Sequence, residues 1–173
     1  MDIDYIKQKA LVRILDDDEA LGEALKLYLE LEGWRVAVYT QARRFFAEDL
    51  PSVPGCIVLD VRMPEINGLE CQRMLNERKS ANPIIFISGH GDIDMAVQTI
   101  LNGAYDFLQK PVDEERLVRS VARAAGDSVM KADAYRARTG SCQTRGSGPC
   151  EPHDRREAGH FAAHGRTAPL ARP

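Results

Sequence analysis

CIVLDVRMPEING, residues 56–68, passes from a wholly apolar run to a polar loop in one step. Cys56–Leu59 offers no polar face to water, so it reads as a short strand buried on both sides. It ends on the carboxylate of Asp60, and a helical pattern follows near Gly68–Glu77. The same unit recurs in both directions. Upstream, the runs Ala10–Leu15 and Trp34–Tyr39 alternate with helical spacing over Ala20–Glu32 and near Gln41–Ala47. Downstream, Pro83–Ser88 and Tyr105–Gln109 alternate with helices at Ile93–Asn102 and from Asp113 to about Ala125. Strands alternating with helices of this length imply right-handed crossovers and one parallel sheet covered on both faces. The expected fold class is α/β, a doubly wound five-stranded parallel sheet with five helices.

Helical spacing also predicts which faces are buried. Leu21, Leu25, Tyr28 and Leu29 share one face, and Ile93, Ala96, Val97, Ile100 and Leu101 share another, each with polar residues opposite. Gly33 and Gly103 are placed to end those helices in the left-handed conformation, and Asp18 to cap the start of the first.

With 173 residues, 44% hydrophobic, the chain can bury one core and carry an appendage. The expected organisation is an N-terminal lead at 1–9 and a domain at 10–125. A linker or extension of the last helix follows at 126–138, and a disordered basic tail at 139–173. That tail has Phe161 and Leu170 as its only large apolar side chains, too few to offset the entropy of folding. Its Gly, Arg, Pro, Ala and His resemble GC-rich DNA read out of frame; a natural disordered tail is the alternative.

Residues 1–126 carry 15 Lys/Arg against 21 Asp/Glu, whereas residues 127–173 carry 8 against 5. An acidic body does not attract nucleic acid, so any such attraction would belong to the tail, and without interleaved aromatics it would be nonspecific. Met1–Ala10 has no apolar signal core and no run approaches a membrane span, so a cytoplasmic protein with no membrane contact is expected. Cys56, Cys71, Cys142 and Cys150 show no paired framework and are read as free thiols. Cys142, Cys150, His153, His160 and His164 match no common zinc spacing.

In an open α/β sheet, ligands bind beyond the carboxyl ends of the strands. The residues there are Asp16-Asp17-Asp18, Asp60, Ser88 and Lys110, so the topology gathers carboxylates, a hydroxyl and an ammonium at one edge. Clustered carboxylates repel one another unless a cation intervenes, and hard oxygen donors favour Mg2+. A carboxylate beside such an ion can attack phosphorus while a lysine neutralises the phosphoryl oxygens, a role that suits Asp60.

The motifs Leu15-Asp16-Asp17, Leu59-Asp60-Val61-Arg62-Met63-Pro64 with Gly68, Ser88-Gly89-His90-Gly91 and Lys110-Pro111 together resemble the receiver domain of two-component response regulators. The resemblance spans roughly residues 10–125. The stretches Ser-Gly-His-Gly-Asp-Ile and Gly-Ala-Tyr-Asp-Phe are similar to the FixJ-type branch, with dicarboxylate-transport-type regulators as near relatives. It implies a flavodoxin-like (βα)5 receiver in which Asp60 accepts phosphate from a sensor histidine kinase. Asp17, Asp60 and the Arg62 backbone carbonyl would bind Mg2+ directly, and Asp16 through water. Lys110 would pair with the phosphoryl group and Ser88 hydrogen-bond it, with Phe107 turning inward as Ser88 moves. The Lys110–Pro111 bond is expected to be cis. His90 and Arg62 would modulate access of water.

The resemblance implies self-catalysed phosphoacceptance and slow dephosphorylation only, not an enzyme acting on other substrates. The expected role is in transcription regulation, through a partner surface or a homodimer formed on phosphorylation. Family members of these branches continue into a helix-turn-helix or ATPase domain, and neither is recognisable after Ala137, which puts specific DNA binding in doubt. A stand-alone receiver acting by protein binding or phosphorelay is the rival. An aspartyl-nucleophile phosphatase is disfavoured, because Val61-Arg62 follows Asp60 where that chemistry uses Asp-x-Asp.

Overall fold

In the computed structural model, residues 2–89 and 93–140 are described. The chain divides into Met1–Ser141 and Cys142–Pro173. Expectations for His90, Gly91 and the tail, including its cysteines and histidines, therefore lie outside the described residues, as does nearly all of 139–173.

The elements run α1 (Ile3–Lys9), β1 (Leu11–Leu15), α2 (Glu19–Leu31), β2 (Arg35–Tyr39), α3 (Ala42–Glu48) and β3 (Gly55–Asp60). They continue with α4 (Gly68–Glu77), β4 (Ile84–Ser88), α5 (Ile93–Leu101), β5 (Asp106–Gln109) and α6 (Glu114–Gly140). The five strands form one parallel sheet in the order β2-β1-β3-β4-β5. The expected doubly wound α/β sheet is thus present. All six residues of β3 are buried, as its unbroken apolar run predicts for a central strand.

Alternation along the strands sorts side chains into two cores. Val12, Ile14, Cys56, Val58, Ile85, Ile87 and Leu108 pack with Leu25 and Leu29 of α2 and with Leu117, Val121 and Val129 of α6. Leu15, Ile57, Leu59, Ile84 and Phe86 pack on the other face with Phe45 of α3 and Cys71 and Leu75 of α4. Each fully buried aliphatic side chain contributes about 1.5–3 kcal/mol, so the two layers hold the sheet edge rigidly beneath the polar loops.

Three expectations are corrected. Residues 1–9 are no loose lead: Ile3–Lys9 form a helix, capped by Asp2 and with Ile6 buried in the first core. The last helix passes the expected bound near Ala125 and runs on to Gly140, so that of the two readings for 126–138 the helix extension is the one observed. Gly126-Asp127-Ser128 looks like a stop, yet the buried stripe Leu117, Val121, Ala124 continues through Ala125, Ser128 and Val129. There the Ser128 hydroxyl accepts from the Gly55 N–H at 3.1 Å and donates to Asn82 Oδ1 at 3.1 Å, so the polar residue is satisfied inside.

The third correction concerns α5, where three residues of the expected core face lie outward. Val97, Ile100 and Leu101 are 51%, 45% and 79% exposed, and Thr99 is the fully buried residue. The Thr99 hydroxyl is satisfied by the Ala96 carbonyl at 2.8 Å, and the Gln72 amide reaches from α4 to the Thr99 and Asn102 carbonyls at 3.2 and 3.3 Å. Polar contacts to α4, rather than the apolar stripe, set how this helix is turned. In contrast Gly33 and Gly103 do take positive φ, of 87° and 93°, at the ends of α2 and α5. Among the described residues no helix is long and apolar enough to cross a membrane.

Candidate functional site

The register places the site. Leu15 lies beside Leu59, Asp60 beside Ile87 and Ser88 beside Gln109, so Asp16, Asp60, Ser88 and Lys110 arrive at one edge of the sheet. The strand order reverses between β1 and β3, and the crevice opens where that reversal leaves room above the carboxyl ends. The helices that follow begin with polar caps that shape the loops. Asp18 accepts from the Leu21 N–H at 3.1 Å, Asn67 from Glu70 at 2.9 Å and Asp113 from Arg116 at 2.8 Å.

Asp16, Asp17 and Asp60 each offer a carboxylate oxygen within 4.8 Å of the others; Asp16 and Asp60 are buried and Asp17 is exposed. Lys110 Nζ donates to Asp16 Oδ2 at 2.8 Å and stands 3.5 Å from Asp60 Oδ2. The second oxygen of Asp16 accepts from the Asp18 N–H at 2.9 Å. Burial and the neighbouring Asp16 charge push the Asp60 carboxyl above its ordinary value, while Lys110 and the Arg62 backbone N–H oppose that shift. Burial tends to lower Lys110, but its contacts with Asp16 and the charge of Asp60 outweigh this and hold it above the usual lysine value. The ammonium is therefore a fixed positive charge facing two carboxylates.

One lysine against three carboxylates leaves this cluster negatively charged and oxygen-rich, with Asp17 open to solvent. That donor set fits a hard divalent cation such as Mg2+. Asp17 also lines an open groove of about 410 Å³ with Val61, Arg62, Met63, Pro64, Asn67, Leu69 and Met95. Room for a phosphoryl group and its donor adjoins the carboxylates.

Ser88 closes β4 and is buried. Phe107 is half-buried and packs against the second core, one strand over from Phe86. The Lys110–Pro111 peptide is cis, as expected. The structure thus brings together Asp16, Asp17, Asp60, Ser88 and Lys110.

One residue in the recognised motif has a role that its spacing does not explain. A Cβ on Gly68 would lie 2.3 Å from the Asp60 carbonyl oxygen and 2.9 Å from Val61 Cα. The Gly68 N–H donates to the Val61 carbonyl at 3.0 Å, so α4 starts hard against the acidic loop. Glycine is needed for that close approach. Gly68→Ala should destabilise the domain by about 1–3 kcal/mol through forced overpacking, with a matching fall in the urea midpoint. An unchanged midpoint would show that the loop can yield.

Comparison with known proteins agrees with this geometry. The model of the family described as response regulator receiver domain matches residues 12–122. The response regulator protein TmoT of Ectopseudomonas mendocina is 46% identical over 117 residues, covering 68% of this chain and 53% of TmoT. The transcriptional regulatory protein FixJ of Azorhizobium caulinodans is 40% identical over 128 residues, covering 74% and 61%. The chain spans about half the length of TmoT and of the TodT proteins it also matches. Among solved structures, response regulator StyR superposes with a TM-score of 0.73 at 33% identity, covering 78% of this chain and 68% of StyR. FixJ-N does so with 0.62 at 36%, covering 68% and 94%.

Proposed function

This chain belongs to the family of response regulator receiver domains, and from that premise we propose that it accepts a phosphoryl group on Asp60 from a sensor histidine kinase. The observation that carries this reading is the juxtaposition of Asp60 with Lys110 Nζ at 3.5 Å and with two further carboxylates within 4.8 Å. An Asp60 oxygen attacks phosphorus, the bond from phosphorus to the donor's imidazole nitrogen breaks, and its electron pair leaves with the imidazole. Asp17, Asp60, the Arg62 carbonyl and, through water, Asp16 would hold Mg2+, which when bound neutralises charge on the transferring phosphoryl oxygens. Lys110 supplies a fixed positive charge on the other side, and Ser88 a hydroxyl for the product. The chain modifies itself and loses the phosphate slowly, without turning over an outside substrate.

Two surfaces support the partner reading. On α2 the exposed residues Ala20, Ala24, Leu27 and Leu31 form one helical stripe beginning beside the acidic edge, a face suited to a kinase helix. On α5, Val97, Ile100 and Leu101 are exposed next to β5, a face suited to a second copy once Ser88 and Phe107 have moved. The relatives include the transcriptional regulatory protein FixJ, of whose length this chain covers 61%, and we infer the same pathway class here. Specific DNA contact by this chain has no described element behind it.

Lys110→Ala tests the coupling. Because its ammonium meets Asp16 and Asp60 at a partly exposed position outside both cores, the variant should fold. It should also fail to translate phosphorylation into a changed α5–β5 surface. Hydrogen exchange over residues 93–125 should respond to a phosphoryl mimic in the wild type and stay flat in the variant. A normal response in the variant would remove Lys110 from the switch.

A further inference from the structure

Outside the phosphoacceptor site, α1 is tied to the second half of α6 by one core contact and a polar cluster. Ile6 sits in the first core with Ala125 and Val129, 3.5 Å from where a Cβ on Gly126 would lie. The Tyr5 hydroxyl donates to Asp133 Oδ2 at 2.8 Å, and Lys9 Nζ donates to Asp133 Oδ1 at 3.1 Å. On its other flank, Lys7 Nζ donates to the Glu32 carbonyl at the C-cap of α2 and stands 5.6 Å above the Trp34 ring. Hence α1 straddles the ends of α2 and α6 and grips both.

The segment it grips has little else to hold it. From Met130 to Thr139 every residue is exposed except Ala132 and Asp133, which are half-buried. Two or three helical turns in water do not persist by themselves. Yet α6 is a single 27-residue helix, about 40 Å long.

Closer to the phosphoacceptor site, the same helix is stitched to three consecutive residues around β5. The Tyr105 hydroxyl donates to Asp127 Oδ2 at 2.9 Å, the Ser120 hydroxyl donates to Asp106, and Arg116 Nη2 donates to the Phe107 carbonyl at 3.2 Å. Asp127 and Asp133 lie six residues apart, about 9 Å along the axis. Motion of β5 therefore reaches α6 just before the turns that α1 holds.

We propose that α1 is a clip that keeps residues 130–139 of α6 as a stiff arm, so that a shift of β5 is carried beyond residue 130 instead of being lost in fraying. The origin of that shift rests on the receiver reading above; the clip does not. A stiff element tied at one end to β5 and at the other to α1 couples the two when its position differs between the two states. By reciprocity, the clip should also feel the phosphoryl group.

Hydrogen exchange on the full chain tests this with Asp133→Ala, which removes the partner of Tyr5 and Lys9, and Ile6→Glu, which expels α1 from the core. Without ligand, both variants should exchange at least about tenfold faster over residues 130–139, with residues 114–125 unchanged. With beryllofluoride and Mg2+, the wild type should change its exchange over residues 3–9, and Asp133→Ala should not. Wild-type exchange over 130–139 in Asp133→Ala and in a folded Ile6→Glu overturns the clip; if Ile6→Glu unfolds, Asp133→Ala decides. Acetyl phosphate labelling of Asp60 in the same wild-type sample separates the two ideas. If labelling fails, the receiver reading falls and the ligand-free comparison still judges the clip. If labelling succeeds while residues 3–9 stay silent, the coupling through the clip is refuted.

Discussion

Asp60→Asn should carry no label after incubation with acetyl phosphate and Mg2+, whereas the unaltered chain should acquire a hydroxylamine-sensitive acyl phosphate. On the proposed reading, the amide removes the carboxylate oxygen that attacks, and the other two carboxylates of the described cluster are engaged otherwise. Asp16 has one oxygen engaged by Lys110 at 2.8 Å and the other by the Asp18 N–H at 2.9 Å. Asp17 lies at the exposed rim, where it is better placed to hold a cation than to be held for in-line attack. Chelation of divalent cations should abolish labelling of the unaltered chain as well, since among the described residues Lys110 is the cation paired with the two buried carboxylates. Undiminished labelling of Asp60→Asn, measured by intact mass, would refute the assignment. The variant should remain folded, because the exchange of one carboxylate for an isosteric amide relieves like-charge repulsion with Asp16.

Arg13→Ala should cost about 3–5 kcal/mol of unfolding free energy, the largest stability loss expected from one side chain here. Arg13 is fully buried in the middle of β1, between two residues of the first core and therefore facing the second. Its guanidinium donates to Asp49 and to the carbonyls of Leu11 at 3.0 Å, Leu50 at 2.8 Å and Val53 at 3.0 Å. It thereby fastens the loop after α3 beneath the sheet. Truncation leaves a cavity, an unpaired carboxylate only 10% exposed and three carbonyls without this donor. Against a typical total of about 5–15 kcal/mol, such a loss should move the urea midpoint far below that of the unaltered chain. A cost below about 1 kcal/mol would mean that water replaces the guanidinium at little expense.

The two variants separate chemistry from scaffold. Asp60→Asn should lose its label with the fold intact, while Arg13→Ala, in the middle of β1, should lose stability without any direct part in phosphate chemistry. Gly68→Ala lies between them, since the clash it introduces falls on the backbone of Asp60 itself.

The sequence by itself determined the five strands and the five helices that follow them, the edge at which the polar residues gather and the identity of the acid cluster. Those properties follow from local apolar runs such as Cys56–Leu59 and from the rule that each strand ends where its polar neighbours begin. Tertiary structure decided the rest, because each remaining feature depends on a partner distant in the chain. Whether 126–138 is a linker or an extension of the last helix is decided by Gly55 and Asn82, which take up the Ser128 hydroxyl. The apolar stripe of α5 faces outward because Gln72, on another helix, binds the carbonyls of Thr99 and Asn102. The helix Ile3–Lys9 grips α6 because Asp133, 124 residues beyond Lys9, supplies the counter-charge. Periodicity along one segment records what that segment can bury; only the assembled fold fixes what it is buried against.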